Sequence, residues 1–174
     1  MIHLRRADLP VSLWRNGAGR KADIAAGPFW HIGFAFLDGD APFSNYAGHD
    51  RTITLVDGPG FTLSNPDITL AVTTPGAPTS FDGGWPLGCR IHGGPCIVVN
   101  AMTARAHHSH TVTRFHGGPI APGGAMSDVL VVIHGELRLD DLTAGAQDAI
   151  VLTRPARAAV SRGACVVRLS ITPA

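Results

Sequence analysis

Leu130-Val-Val-Ile-His-Gly-Glu-Leu-Arg-Leu139 decides the fold class. Four apolar residues run into a glycine turn, and a strand of alternating character leaves it. An apolar run this short, bounded by turn residues, suits a strand buried on both faces, and alternation suits one buried on a single face. The continuation fits: Leu142-Thr-Ala-Gly-Ala-Gln-Asp148 and the apolar run 149–152 put another turn and a return strand where a β-roll needs them. An upstream stretch, Ile53-Thr-Leu-Val-Asp-Gly-Pro-Gly-Phe-Thr-Leu63, has the same order of apolar strand, glycine turn and alternating strand. Two readings stand side by side, an internal duplication and a chance likeness between short apolar strands.

Working outward, glycine and proline clusters cut the chain into predicted strands at 52–56, 61–63, 68–73, 96–99, 129–133, 136–139, 149–152 and 165–171. Residues 9–13 or the neighbourhood of Met126 could hold a turn of helix. With 21 Gly, 13 Pro and only 16% charged residues, the composition favours short strands joined by tight turns over long surface helices. A chain of 174 residues is enough for one domain with a sizeable core. The formal net charge of +1 supplies no basic face for nucleic acid or an anionic membrane, so neither partner is expected. Cys89, Cys96 and Cys165 form no Cys-x-x-Cys pair, and their odd number suits a reducing compartment. No apolar segment of signal-peptide type opens the chain, and the purest apolar run, 129–133, falls far short of the roughly 20 residues that span a bilayer. The expectation is a soluble, cytoplasmic, all-β protein of one domain.

The 130–139 hairpin and the turn after it resemble the strand-turn-strand core of a cupin. Closing a sheet in that way removes exposed edges and leaves an interior lined by alternate residues, so a pocket is expected. More specific likenesses lie upstream. Trp14-Arg-Asn-Gly-Ala-Gly19 with Asp23-Ile-Ala25 resembles the opening of the HutD/Ves family. Gly39-Asp-Ala-Pro-Phe-Ser-Asn-Tyr-Ala-Gly-His-Asp-Arg51, running on to Leu55 and Gly58-Pro-Gly60, is similar to the family's most diagnostic block. Phe81-Asp-Gly-Gly-Trp85, Gly93-Gly-Pro95 and Asn100-Ala-Met102 resemble a third. The resemblance implies a double cupin (bicupin), two antiparallel β-barrel or jelly-roll halves in one compact domain, 1–174, with halves at about 12–105 and 106–174. It also implies a link with histidine utilisation, in a regulatory or ligand-binding role in place of catalysis. Three departures mark this chain: Lys21-Ala22-Asp23 stands for the family's Thr-Arg-Glu, His31 for a strand arginine, and Val98 for an aspartate.

Asn16-Gly17 is by itself a plain hairpin signal. With Trp14 and Arg15 before it and Gly19 after it, the segment also suits a backbone lying close over a pocket with an aromatic wall. Arg51 reads either as a solvated cation paired with Asp50 or Asp57, or as the clamp for a ligand carboxylate, whose two oxygens match a planar guanidinium. Asn100 offers amide atoms, Ser44 a hydroxyl, and Phe43 a core anchor. The ligand-binding set is therefore Trp14, Arg15, Asn16, Gly17, Gly19, Ser44, Arg51 and Asn100. His108 and His110 have the spacing that opens a cupin metal motif, but the rest of the motif is missing, so no metal and no other cofactor is expected. Neither a nucleophile elbow nor a phosphate-binding glycine loop occurs, and no residue receives a catalytic role. The combined reading is a homodimer, joined through sheet faces, that binds a small carboxylate such as formiminoglutamate or urocanate and regulates histidine breakdown. The alternatives are a metal-dependent cupin isomerase, hydrolase or dioxygenase using His108 and His110, and a protein-interaction scaffold.

Overall fold

In the computed structural model, which describes residues 1–14, 17, 19–121 and 125–174, regular structure is antiparallel β-sheet apart from one 3₁₀ turn at Arg6–Asp8. Numbered along the chain, a six-stranded sheet runs in the order β2 (Ser12–Leu13), β3 (Arg20–Gly27), β4 (Trp30–Leu37), β11 (Cys96–Ala104), β6 (His49–Asp57) and β9 (Pro78–Asp82). A four-stranded sheet covers one of its faces, in the order β5 (Ala41–Pro42), β10 (Gly88–Ile91), β7 (Phe61–Ser64) and β8 (Thr69–Val72). Its other face packs on a five-stranded sheet: β1 (Ile2–Arg5), β17 (Asp148–Leu152), β14 (Ser127–His134), β19 (Cys165–Pro173) and β12 (His108–Phe115). A second four-stranded sheet closes the stack, with β13 (Gly118–Ile120), β18 (Ala158–Val160), β15 (Leu137–Leu139) and β16 (Leu142–Ala144).

The central strands are buried on both faces, which is why 129–133 is continuously apolar and not alternating. Even-numbered residues of β4 (Ile32, Phe34, Phe36) meet Val129, Val131, Val167 and Leu169 in the seam between the six- and five-stranded sheets. Odd-numbered residues of β6 and even-numbered ones of β11 turn the other way, toward Phe61, Leu63 and Cys89. The successive faces follow from the two-residue period of a strand.

The likeness between the two quoted stretches extends to register. Arg51, Ile53 and Leu55 pair with Met102, Asn100 and Val98, while Asp128, Leu130 and Val132 pair with Ser170, Arg168 and Val166. In both ladders one residue is then left over, Val56 in β6 and Ile133 in β14, before pairing resumes at Asp57 and His134. A bulge at matched positions bends both strands alike.

All eight predicted strands are present. The β3–β4 hairpin was not among them: β3 is rich in alanine and charge with a single β-branched residue, and β4 is apolar and buried on both faces along most of its length. Among the described residues no helical turn lies at 9–13 or near Met126; the 3₁₀ turn lies earlier, and Ser12–Leu13 is a strand. No sheet closes on itself, so the expected barrels are instead open sheets stacked face to face. Several of their edges are strands of two to four residues, too short to template further pairing. Among the described residues no helix is long and apolar enough to cross a membrane.

Candidate functional site

The six-stranded sheet, with Trp14 and the segment that carries Phe43, Ser44 and Tyr46, lines a cavity of about 410 Å³ that Arg51, Asn100 and Met102 also face. Register explains the gathering. Arg51 on β6, Met102 on β11 and His31 on β4 lie in one row across the sheet, and Ile53, Asn100, Gly33 and Asp23 in the next. Directly paired residues share a face, so the polar members of both rows are presented on the same side.

Arg51 dominates the site. Its side chain is only 6% exposed, with the guanidinium carbon 5.0 Å from the ring centre of Phe43, 5.1 Å from Phe81 and 5.5 Å from Tyr46. Nη1 donates to the Ser44 carbonyl at 3.0 Å. The hydrogen bonds from Phe43 N to Leu87 O and from Tyr46 N to Gly83 O hold the intervening loop against the arginine. No carboxylate among the described residues pairs with it: Asp50 receives Arg105, and Asp57 accepts from the Gly58 amide and Gln147. Burial pushes the guanidinium down to about 10, slightly offset by Tyr46, so it stays cationic at neutral pH. Three aromatic faces return part of the desolvation cost, about 1 kcal/mol each. They cannot supply the directed acceptors that a buried cation calls for.

Three buried polar atoms of this one cavity lack a hydrogen-bond partner among the described residues: Arg51 Nε, Ser44 Oγ and Asn100 Oδ1. Buried polar atoms are nearly always satisfied, so three unpartnered ones on residues that line one hollow are unusual. Trp14 forms a wall, edge-on to Phe43 with ring centres 5.6 Å apart. Its amide donates to Gly19 O and its carbonyl accepts from Gly17 N, so the backbone of the residue that forms the wall is tied to both glycines. Gly19 is required there, since a Cβ would lie 2.7 Å from the indole. Gly17 and Gly19 shape the loop without lining the cavity, while Arg15 and Asn16 lie outside the described residues.

Sequence reasoning missed Tyr46, Met102 and Leu13 as lining residues. Strand alternation from Asn100 points to Met102, and Tyr46, the chain's single tyrosine, sits inside the quoted block. The departures from the family pattern fall at the same place. Lys21 and His31 line the cavity, joined through Asp23 Oδ1 at 2.8 and 2.7 Å. Burial opposes the Asp23 carboxylate, but these two contacts outweigh it and keep its pKa below the usual range. Val98 is fully buried between Leu55 and Ala35, one row beyond Asn100.

The metal candidates point elsewhere. His110 lies between hydroxyls, with Nε2 2.9 Å from Thr52 Oγ1 and Nδ1 2.8 Å from Thr103 Oγ1. His108 Nε2 meets the Pro28 carbonyl at 3.1 Å. Both ring nitrogens of His110 are thus engaged, and no three His, Cys, Asp or Glu residues among those described group as metal ligands would.

Protein Ves of Citrobacter koseri is 29% identical over 140 residues, covering 76% of this chain and 73% of that one. The structure of HutD from Pseudomonas fluorescens superposes with a TM-score of 0.84 at 20% identity, over 99% of this chain and 98% of that one. A cupin 2 conserved barrel domain protein from Leptotrichia buccalis superposes at 0.61 and 11% identity over 88% of each chain, a likeness of fold alone. The HutD family model matches residues 6–167, and with nearly the whole sheet stack inside that match the chain belongs to the HutD family.

Proposed function

We propose that the protein binds a small carboxylate-bearing metabolite in the cavity around Arg51 and acts, without catalysis, as a regulatory sensor in histidine utilisation. The observation that carries this reading is a buried, cationic arginine with no carboxylate of its own, beside two further unpartnered polar atoms in the same hollow. A carboxylate there would take two parallel bonds from the guanidinium and accept a third from the Ser44 hydroxyl, while Asn100 Oδ1 would accept from a donor elsewhere on the guest. Formiminoglutamate and urocanate are the guests chosen for test, and the cavity lies within the usual size of a small-molecule site. The repeated register and the cupin neighbour support a double-cupin architecture with halves near 12–105 and 106–174. The same reading makes the protein cytoplasmic, where its three buried thiols stay reduced, and homodimeric.

The test is thermal melting across a panel of metabolites. A guest at about 100 times its Kd stabilises the folded state by about 2.7 kcal/mol, a rise of about 5 °C or more for a chain of this size. Arg51→Ala should erase the response. A flat melting temperature across the panel would leave the scaffold reading in its place.

A further inference from the structure

The Arg51 cavity has a second polar end. His31 stands in the same cross-sheet row as Arg51 with Met102 between them, which sets their Cα atoms about 10 Å apart on one face. Lys21 lies on the neighbouring strand, and both side chains line the cavity. No acidic side chain is among the lining residues. Asp23 stands beside the cavity, half exposed, and its Oδ1 takes both Lys21 and His31. A glycine at 33 makes that arrangement possible, because a Cβ there would lie 2.7 Å from the His31 ring and 2.9 Å from the Ala22 carbonyl. Between the two polar ends the lining is apolar, with Met102, Ile53, Trp14 and Phe43.

We infer that the guest is a short dicarboxylate, one carboxylate held by Arg51 and Ser44 and the other met at the opposite end by Lys21 and His31. The inference rests on the carboxylate-binding reading above and sharpens it to a ligand class. The side chains reach inward from backbones two strand spacings apart, which leaves room for a chain of about four to six carbons. Lys21 has two ammonium protons beyond the one given to Asp23, and the His31 ring has a second nitrogen beyond the one that faces Asp23. Asp23 acts as the brake. Its charge holds the two donors in place and at the same time opposes the incoming anion.

Isothermal titration with glutarate and with butyrate, which carries the same first carboxylate on a similar chain, separates the two ends. The wild-type protein should bind glutarate about tenfold more tightly, the worth of one partly exposed charge-assisted contact. Lys21→Met with His31→Gln should bring glutarate down to the level of butyrate while leaving butyrate unchanged. Asp23→Asn should tighten glutarate alone, and being a polar surface change it tests the inference even if the double variant folds poorly. Equal affinity for the two acids in the wild-type protein overturns the dicarboxylate inference and leaves the Arg51 site standing. So does a preference that survives in the double variant. Failure of both acids to bind the wild-type protein removes the Arg51 site itself.

Discussion

Arg51, buried, and Arg168, half-buried, stand on the inner faces of two sheet ladders that share a register, yet among the described residues one lacks a carboxylate and the other has one built in. In the ladder of β14 and β19, Arg168 stands where Asn100 stands in the other, and Asp128 stands where Arg51 does. Asp128, 3% exposed, takes Arg168 on both oxygens at 2.8 and 2.9 Å and also accepts from Ser170. The rest of that interior is filled by Leu130, Val132, Leu137, Leu139 and Ile150, all fully buried. The same ladder thus makes a closed, self-neutralised core in one place and an open cationic cavity in the other. Evidently the backbone pattern sets where a polar pair goes, and a single choice of acid or base decides whether the protein satisfies it or leaves it for a guest.

The comparison breaks most easily at Asp128. Asp128→Ala deprives Arg168 of its buried acid and should cost about 3 kcal/mol in urea denaturation. Molar formate or acetate should restore part of that loss. Wild-type stability in this variant would show that the two arginines are not counterparts. At the other ladder the sign reverses: Arg51→Met removes a buried cation without an acid and should leave the ligand-free protein at least as stable, by up to about 1 kcal/mol, while its carboxylate response disappears. A loss of stability there would mean that the aromatic faces more than offset desolvation.

The smallest effect belongs to the seam. His110, on β12 of the five-stranded sheet, bonds to Thr52 and Thr103 of the six-stranded one. Burial lowers its pKa from the ordinary 6.5, with Asp50 opposing. As pH falls below about 6.5 the unfolded chain takes up the proton before the folded one does. Its contribution to stability is therefore full above that pH and lost on acidification toward the folded value. Urea midpoints should decline below pH 6.5, and decline less in His110→Gln; equal slopes would free the seam from this histidine.

Much of this was legible along the chain. Trp14, Ser44, Arg51 and Asn100 were picked out by the motif blocks and converge on one cavity, and the two matched hairpins were readable because apolar runs and glycine turns are local signals. The β3–β4 hairpin was less visible, since the alanines and charges of β3 carry little strand preference and its place is set by pairing with β4. Lys21 and His31 registered only as departures, for nothing local says that strands β3 and β4 lie across from Asn100 and Met102.

Residue order alone dictated that this is a sheet protein, that its turns fall at glycines, and that Arg51 starts a strand. It left open whether that arginine is paired. Asp50 is its neighbour in sequence but projects to the opposite face, and Asp57, six residues on, is about 20 Å away along an extended strand. Burial under Phe43, Tyr46 and Phe81, and the absence of a facing acid among the described residues, arise from loops and strands that meet only when the sheets stack. Charge pairing is a matter of distance in space, and the stacking of sheets sets that distance.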